Sequence, residues 1–223
     1  MEPRFERNIP TLTPEEQALL GQKHILLAGC GGLGGYLLEL LVRAGVGELS
    51  VVDPDRFTPG NLNRQALCTA ATLGQSKALA ARARALEIAP TVRVHAYETA
   101  LDARSAPELL RSCDLALDAL DNVPSRLALA DACAAAGIPL VHGAVAGLRA
   151  QAAVIPPGSG LLRRIYAGAA EPAEKSVLAP ACALCAAVQA AEAVKLLAGR
   201  PASLAGRLLW IDLEEMEFQT AEF

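Results

Sequence analysis

Short apolar segments alternate with helical patterns along most of the chain. Apolar runs bounded by turn residues predict strands at residues 24–28, 49–53, 92–96, 115–117, 140–142 and 150–155. Helical periodicity and capping signals between and after them predict helices at residues 36–43, 76–88, 124–136 and 182–198. Two further apolar segments near the C-terminus predict a strand pair. Strands that alternate with helices in this way predict an α/β protein with a doubly wound, mostly parallel sheet and C-terminal antiparallel strands.

The N-terminal segment and one long connection complete this outline. Residues 13–16 read Thr-Pro-Glu-Glu, which is the pattern of a capped helix start, and they predict a short helical segment within residues 1–22. Residues 156–179 lack periodicity and predict a long crossover loop, a feature that is often functional. The sequence contains no repeat and no linker, so we expect residues 1–223 to form one domain.

Composition and charge exclude several classes of protein. Apolar residues make up 52% of the chain and charged residues 20%, whereas a disordered chain would be more charged and less apolar. Six cysteines in 223 residues are too few for a small disulfide-stapled domain. The net charge of −4 excludes the basic excess that is typical of nucleic-acid binders, so we expect no nucleic-acid partner.

No targeting or membrane-spanning segment is predicted. The first ten residues carry charges of both signs and no apolar run. The longest apolar stretch, residues 177–197, is interrupted by Pro180, Glu192 and Lys195, whereas a membrane helix needs about 20 residues almost free of charge. We therefore expect a cytoplasmic protein with reduced cysteines and no membrane contact.

A glycine-rich turn joins the first strand to the next helix. Gly29, Gly31, Gly32 and Gly34 share a turn that contains a G-x-G-x-x-G pattern in strand–turn–helix context. Such glycines let backbone N–H groups approach a phosphate at a helix N-terminus. Asp53 ends the second strand, where an acid can accept hydrogen bonds from ribose hydroxyls. The pattern predicts nucleotide binding in a Rossmann-like fold and leaves both NAD and ATP open.

Charged residues beyond this unit favour ATP. Arg64 and Lys77 lie on the loop and helix next to the first βαβ unit, and Asp121 follows a later strand. Ligands of open α/β sheets bind beyond the carboxyl ends of the strands, so these three side chains can meet the phosphate end of a nucleotide. Phosphate-transfer chemistry needs cations to neutralise developing charge and an acid to hold Mg²⁺. Hydride transfer has little use for this set.

Further motifs extend over nearly the whole chain. They lie at residues 4–7, 29–34, 52–55, 61–65, 74–77, 117–122, 143–144 and 178–180 and are followed by an alanine-rich helix. On these motifs the chain resembles the ThiF/MoeB/HesA family, which is related to the ubiquitin-activating enzymes. The element Asn-Leu-Asn-Arg-Gln at residues 61–65 is the motif specific to that family.

The resemblance implies an adenylyltransferase. Family members use ATP and Mg²⁺ to adenylate the C-terminal glycine of a small ubiquitin-like carrier protein that ends in Gly-Gly, for sulfur transfer in thiamine, molybdopterin, tungstopterin or related biosynthesis. By resemblance, Gly32 lies against the phosphates and Asp53 binds the ribose. Arg64 and Lys77 would stabilise the phosphates, and Asp121 would bind Mg²⁺.

The same resemblance implies roles for five more residues. Arg7 would reach into the site of the other subunit of a homodimer. Asn61 and Asn122 would help to shape the site, and Asp55 and Asn63 would contribute to nucleotide binding. The nucleophile would be a carboxylate that is already ionised at pH 7, so no general base is required. This suits a chain with three histidines.

The cysteines depart from the family pattern. Many relatives hold a structural zinc with two Cys-x-x-Cys pairs, and some carry a crossover-loop cysteine that joins the carrier covalently. This chain has one such pair, Cys182 and Cys185, inside a predicted buried helix, and no cysteine in residues 156–179. A four-cysteine site needs a second pair, so we expect no zinc. We also expect release of the acyl-adenylate to a separate sulfur donor and no appended rhodanese domain.

Three other functions stay open. An ATP-dependent dehydratase acting on a modified tRNA nucleoside belongs to the same superfamily, but the lack of a basic cluster counts against it. An NAD-dependent oxidoreductase would leave Arg64, Lys77 and Asp121 without a role. A non-catalytic partner subunit would not need these residues together with Arg7. The sequence identifies neither the carrier nor the pathway.

Overall fold

A computed structural model of the chain describes residues 2–168 and 176–223. The strands are β1 (His24–Ala28), β2 (Glu48–Val52), β3 (Arg93–Tyr97), β4 (Leu115–Asp118), β5 (Leu140–Ala146), β6 (Arg149–Ile155), β7 (Arg207–Asp212) and β8 (Glu217–Glu222). The α-helices are α1 (Pro14–Leu20), α2 (Gly34–Ala44), α3 (Lys77–Ile88), α4 (Ala106–Leu109), α5 (Val123–Ala136), α6 (Leu161–Ile165) and α7 (Ala179–Leu197). Short 3-10 helices span Pro3–Asn8 and Pro59–Asn61.

The eight strands form one sheet in the order β3-β2-β1-β4-β5-β6-β7-β8. The first five strands of this order pair in parallel, and β5 to β8 pair antiparallel. This arrangement confirms the predicted fold class. The chain runs outward from β1 to β3 and then returns to place β4 on the other side of β1. Reversals of this kind leave a crevice at the carboxyl ends of the two central strands.

Helices cover both faces of the parallel part of the sheet. One apolar cluster joins α2, α3 and α7, and the other joins α4, α5 and α6. Along β1, Ile25 and Leu27 belong to the first cluster, whereas Leu26 and Ala28 belong to the second. Successive side chains of a strand point to opposite faces, so a strand covered on both sides is apolar throughout. The crevice edge is thereby fixed by a strand whose residues 25–28 are fully buried.

Helix α7 is the longest helix of the described residues. By length and composition alone it could cross a membrane. Instead it packs against α2, β5 and β6, and its buried face includes the polar residues Gln189 and Glu192. The carboxylate of Glu192 accepts a hydrogen bond of 2.9 Å from the backbone N–H of Leu204. These are the contacts of a core helix.

Several local predictions can be compared with the structure. The capping box of α1 is formed by Thr13 and Glu16 as predicted. On α3, Leu79 is 47% exposed and does not belong to the core face of the helix. Small alanines on the other side of α3 pack against the core instead and allow close approach to α2. The predicted crossover loop contains α6, and its residues 169–175 lie outside the described part of the chain.

Candidate active site

A cavity of about 730 Å³ opens at the carboxyl ends of β1, β2 and β4. The glycine-rich turn, the loops after β2 and β4, and the near ends of β5 to β7 form its walls. Nine of the thirteen predicted site residues line it: Gly29, Gly31, Gly32, Asp53, Asp55, Arg64, Lys77, Asp121 and Asn122. The other four, Arg7, Gly34, Asn61 and Asn63, do not line it. The fold thus brings the strand-end acids and two cations to one cavity.

The glycine-rich turn packs too closely for side chains. Gly29 has φ of +96°, and a Cβ there would lie 2.5 Å from the carbonyl oxygen of Ala119. A Cβ on Gly32 would lie 3.0 Å from the sulfur of Cys182. Gly34 begins α2, and a Cβ there would overlap the Gly29 carbonyl. The turn therefore presents bare backbone to the cavity, and Gly34 contributes to its conformation rather than to its lining.

Asp53 anchors the turn to the end of β2. Its side chain is buried and accepts hydrogen bonds from the backbone N–H of Cys30 at 2.7 Å and of Asp55 at 2.9 Å. Burial raises the pKa of the Asp53 carboxyl, although both hydrogen bonds and the charge of Lys77 oppose the shift. A carboxylate held in this way at a strand end can accept further hydrogen bonds from a ligand hydroxyl.

Two cations lie on the wall beside Asp53. Lys77 is 7% exposed, and its ammonium group forms an ion pair of 2.9 Å with the largely exposed carboxylate of Asp55. Arg64 is partly buried, and its guanidinium donates to the Gly60 carbonyl at 3.1 Å and to the side chain of Asn63 at 2.8 Å. These bonds leave further N–H groups on the Arg64 guanidinium for an anionic ligand.

Asn61 and Asn63 support the loop that carries Arg64. The side-chain oxygen of Asn61 accepts a bond of 3.0 Å from the Thr58 backbone N–H, and the amide of Asn63 donates to the Val177 carbonyl at 3.2 Å. Arg7 is exposed on the N-terminal 3-10 helix. In this chain, therefore, the two asparagines act on the shape of the loop, and Arg7 faces solvent.

The loop after β4 presents Asp121 and Asn122. Asn122 caps α5, since its side-chain oxygen accepts a bond of 2.9 Å from the Ser125 backbone N–H. Its amide also donates to the Asp121 carboxylate at 3.3 Å. The N-terminus of the 14-residue α5 therefore begins at the cavity wall, where its dipole favours negative charge.

A buried polar cluster lies behind this loop, and none of its members is among the thirteen predicted site residues. We define it as Asp118, Arg126, His142, Gln151 and Tyr166. Asp118 and His142 are fully buried and joined by a hydrogen bond of 2.7 Å, and the other three side chains line the cavity. Burial lowers the pKa of His142 despite that bond. One sequence signal was available for part of the cluster, because Arg126 interrupts the apolar pattern of α5 next to Asp121.

The cysteines of the predicted helix are buried thiols. Burial raises the pKa of Cys182 to about 11, against the opposing charge of Arg64, and raises the pKa of Cys185 to about 12. Cys182 nevertheless lines the cavity. Within residues 2–168 and 176–223, no group of three or more His, Cys, Asp or Glu side chains is arranged to hold a metal ion.

Sequence comparison gives one family and several related proteins. The model of the ThiF family matches residues 5–223. A sulfur carrier protein adenylyltransferase of Thermus thermophilus is 39% identical, over 97% of this chain and 85% of that protein. The SAMP-activating enzyme E1 of Haloferax volcanii is 36% identical, over 99% and 84%. The probable adenylyltransferase/sulfurtransferase MoeZ of Mycobacterium tuberculosis is 37% identical, and the chain spans 59% of its length.

Structural comparison supports the same fold. MccB from E. coli, in its structure with ATP, matches with a TM-score of 0.82 over 100% of this chain and 72% of that chain. Its structure with succinimide matches with a TM-score of 0.83 over 98% of this chain. At 19% sequence identity, these matches show a common fold alone.

Proposed function

The chain belongs to the ThiF family, as its sequence predicted, and from this premise we propose that it is an adenylyltransferase. Its substrates would be ATP and the C-terminal glycine carboxylate of a small ubiquitin-like sulfur-carrier protein that ends in Gly-Gly. Relatives named for sulfur carrier adenylylation and for SAMP activation support this reaction class. The observation that carries the proposal is the meeting of Arg64, Lys77 and Asp121 in one cavity with the glycine-rich turn.

The cavity would offer separate groups to the phosphates and to the ribose of ATP. The bare backbone of the turn at Gly31 and Gly32 would lie against the phosphates, because no side chain blocks their approach. Asp53, buried at the end of β2, would accept hydrogen bonds from the ribose hydroxyls. Arg64 and Lys77 would bind the phosphate oxygens from the adjoining wall. On binding, Lys77 would exchange its contact with the exposed Asp55 for a phosphate.

Asp121 fits the needs of a magnesium ion. Mg²⁺ in nucleotide sites takes one or two carboxylates and fills its other positions with phosphate oxygens and water. Asp121 supplies a carboxylate oxygen at the cavity wall, and Asn122 holds that carboxylate in place. A bound Mg²⁺ would supply charge neutralisation on the phosphates. The asparagine and the helix behind it would orient the carboxylate without adding a second negative charge.

The proposed reaction needs positioning and charge, and it needs no base. A carboxylate oxygen of the carrier forms a bond to the α-phosphorus, the bond from that phosphorus to the bridging oxygen breaks, and pyrophosphate leaves with the electron pair. Arg64 and Lys77 would offset the charge that develops during this exchange. The cavity walls would hold the carboxylate in line with the leaving group.

The proposal extends to the oligomeric state, the sulfur donor and the metal content. We propose a homodimer in the cytoplasm, in which the exposed Arg7 contributes to the site of the other subunit. We propose that the acyl-adenylate passes to a separate sulfur donor. Neither cysteine of α7 would form a thioester, because their thiols stay protonated at neutral pH. No resident zinc is proposed.

The test is exchange of radiolabelled pyrophosphate into ATP in the presence of candidate carriers ending in Gly-Gly. We expect exchange that requires a carrier and Mg²⁺ and that Arg64→Ala and Asp121→Ala abolish. Arg111→Ala and Asp131→Ala provide controls, since both residues are in exposed ion pairs outside the cavity lining. Absence of exchange with every carrier, together with tight NAD binding, would instead support the oxidoreductase alternative.

A further inference from the structure

Tyr166 belongs to the segment after β6 and lines the wall of the cavity. It lies immediately after α6, and its hydroxyl contacts three members of the buried polar cluster. Gln151 donates to it at 3.1 Å, His142 Nε2 lies 3.3 Å away, and an N–H of Arg126 donates to it at close range. Its ring also stands edge-to-face on the imidazole, with 5.6 Å between centroids. One hydroxyl thus joins groups from α5, β5 and β6.

The proton positions in this cluster follow from its contacts. His142 donates from Nδ1 to the buried Asp118 carboxylate, which leaves Nε2 as an acceptor in the neutral ring. Burial lowers the pKa of His142, so the neutral ring is the form present at neutral pH. The acceptor Nε2 thus faces two donors, the Tyr166 hydroxyl at 3.3 Å and the Gln151 amide at 3.2 Å, while the same hydroxyl accepts from Arg126 and Gln151.

Arg126 bonds two acceptors on one side and faces the Asp118 carboxylate on the other. Its Nη2 donates to the carbonyl of Leu120 at 2.5 Å, and Tyr166 accepts from Nη1. On its other side, Nε lies 4.0 Å from the Asp118 carboxylate and makes no hydrogen bond to any described residue. Burial alone would lower the pKa of Arg126, but the nearby Asp118 and Tyr166 raise it. The guanidinium is thus a buried cation whose Nε lies too far from the Asp118 carboxylate for a hydrogen bond.

The loop after β4 is held in place by a hydrogen bond from this arginine. The backbone N–H of Leu120 donates to the Asp118 carboxylate at 3.0 Å, while the Leu120 carbonyl accepts from Arg126. Both sides of Leu120 are therefore fixed by buried charges. Asp121 follows directly in the chain, so the orientation of its peptide depends on the Leu120 carbonyl.

We propose that Tyr166 is a positioning residue that acts through Arg126 on the loop of residues 119–122. The hydroxyl keeps the guanidinium on the Leu120 carbonyl. Without it, Nη1 loses its acceptor and the attraction of Asp118 turns the guanidinium away from the loop. The catalytic part of this inference rests on the proposed function, because Asp121 matters there for binding the metal and the phosphates.

The experiment compares Tyr166→Phe with Tyr97→Phe, which removes the same atom from a partly exposed tyrosine that does not line the cavity. Hydrogen exchange of residues 119–123 is measured without ligand. We expect about five- to tenfold faster exchange in that peptide alone, the effect of one lost hydrogen bond. In pyrophosphate exchange we expect kcat to fall about tenfold, with KM for ATP within about twofold, because positioning is lost before binding is.

Each outcome decides the proposal. Unchanged exchange in residues 119–123, with kcat within about twofold of the native protein, would overturn it. Faster exchange throughout the chain would also overturn it, because it would indicate a general structural role. Arg126→Lys keeps the charge but loses the planar guanidinium that bonds two acceptors at once. This variant should also speed hydrogen exchange in residues 119–123. If the native protein shows no carrier-dependent turnover, the proposed function fails, and hydrogen exchange still decides the role of Tyr166.

Discussion

Gln189 ties helix α7 to the sheet directly beneath the cavity. Its side chain is fully buried, and its amide donates to the carbonyls of Asp118 at 3.0 Å and Val141 at 3.2 Å. A Cβ on Gly143 would overlap this amide, so a glycine at this position leaves the space that the Gln189 side chain occupies. Asp118 ends β4, and the carbonyl that Gln189 holds is the last one before the cavity loop.

We expect Gln189→Leu to destabilise the protein strongly. Leucine fills a similar volume but leaves two carbonyls without this donor in a place that water does not reach. A buried polar group that loses its partner costs about 1–3 kcal/mol, so two together cost about 2–6 kcal/mol. For a chain of this size, about 3 kcal/mol lowers Tm by roughly 6–12 °C.

The assay is urea denaturation followed by far-UV circular dichroism, with thermal melting as a second measurement. Gln219→Leu is the matched control, because Gln219 lies on the exposed strand β8 and its side chain donates to the exposed side chain of Glu217. We expect the control to stay within about 0.5 kcal/mol of the native protein. If Gln189→Leu is as stable as the control, the two buried hydrogen bonds do not stabilise the folded protein, and the reasoning is refuted.

Three further predictions concern charge, metal content and pH. Lys77→Met should lower pyrophosphate exchange by about 10²–10³-fold and change the unfolding free energy by less than about 1 kcal/mol, because its partner Asp55 is largely exposed; near-native exchange would contradict the proposed role. Elemental analysis of the purified protein should find less than about 0.1 zinc per chain, and one zinc per chain would contradict the expectation from the cysteines. The hydrogen bond from Arg200 lowers the pKa of Glu16 to about 2 from its usual 4.5, so its stabilisation is complete above pH 4.5 and is lost as the pH falls towards 2. Glu16→Gln should therefore flatten the fall of Tm over that range, and an unchanged pH profile would count against the pair.

Local sequence rules predicted most of the fold because its signals are local. In β1, residues 25–28 are buried on both faces and therefore read as an unbroken apolar run. The caps of α1 and α2 use side chains and glycines within a few residues of the helix ends. The core face of α3 is harder to read from the sequence. Its buried apolar residues are alanines, whose burial depends on how closely α2 approaches and not on their hydrophobic pattern.

The same distinction separates the parts of the site that could be predicted from those that could not. Asp53 and Asp121 follow strands, and parallel strands end at one edge, so topology alone brings them together. Tyr166 meets Arg126 across 40 residues of sequence, and it meets His142 across 24. No periodicity encodes such contacts, because they depend on where a connecting segment returns to the sheet.

The buried polar cluster shows why a connecting segment can matter to the cavity. Asp118 alone would be a fully buried carboxylate at the end of a core strand, an arrangement that costs free energy unless its oxygens are bonded. His142 and the backbone of Leu120 satisfy those oxygens, and Arg126 balances the charge from 4.0 Å. The arginine keeps that distance only while other acceptors hold it, and Tyr166 supplies one of them. Through Tyr166, the segment after β6 therefore determines whether the Arg126 guanidinium stays on the Leu120 carbonyl, next to Asp121, or moves towards the Asp118 carboxylate.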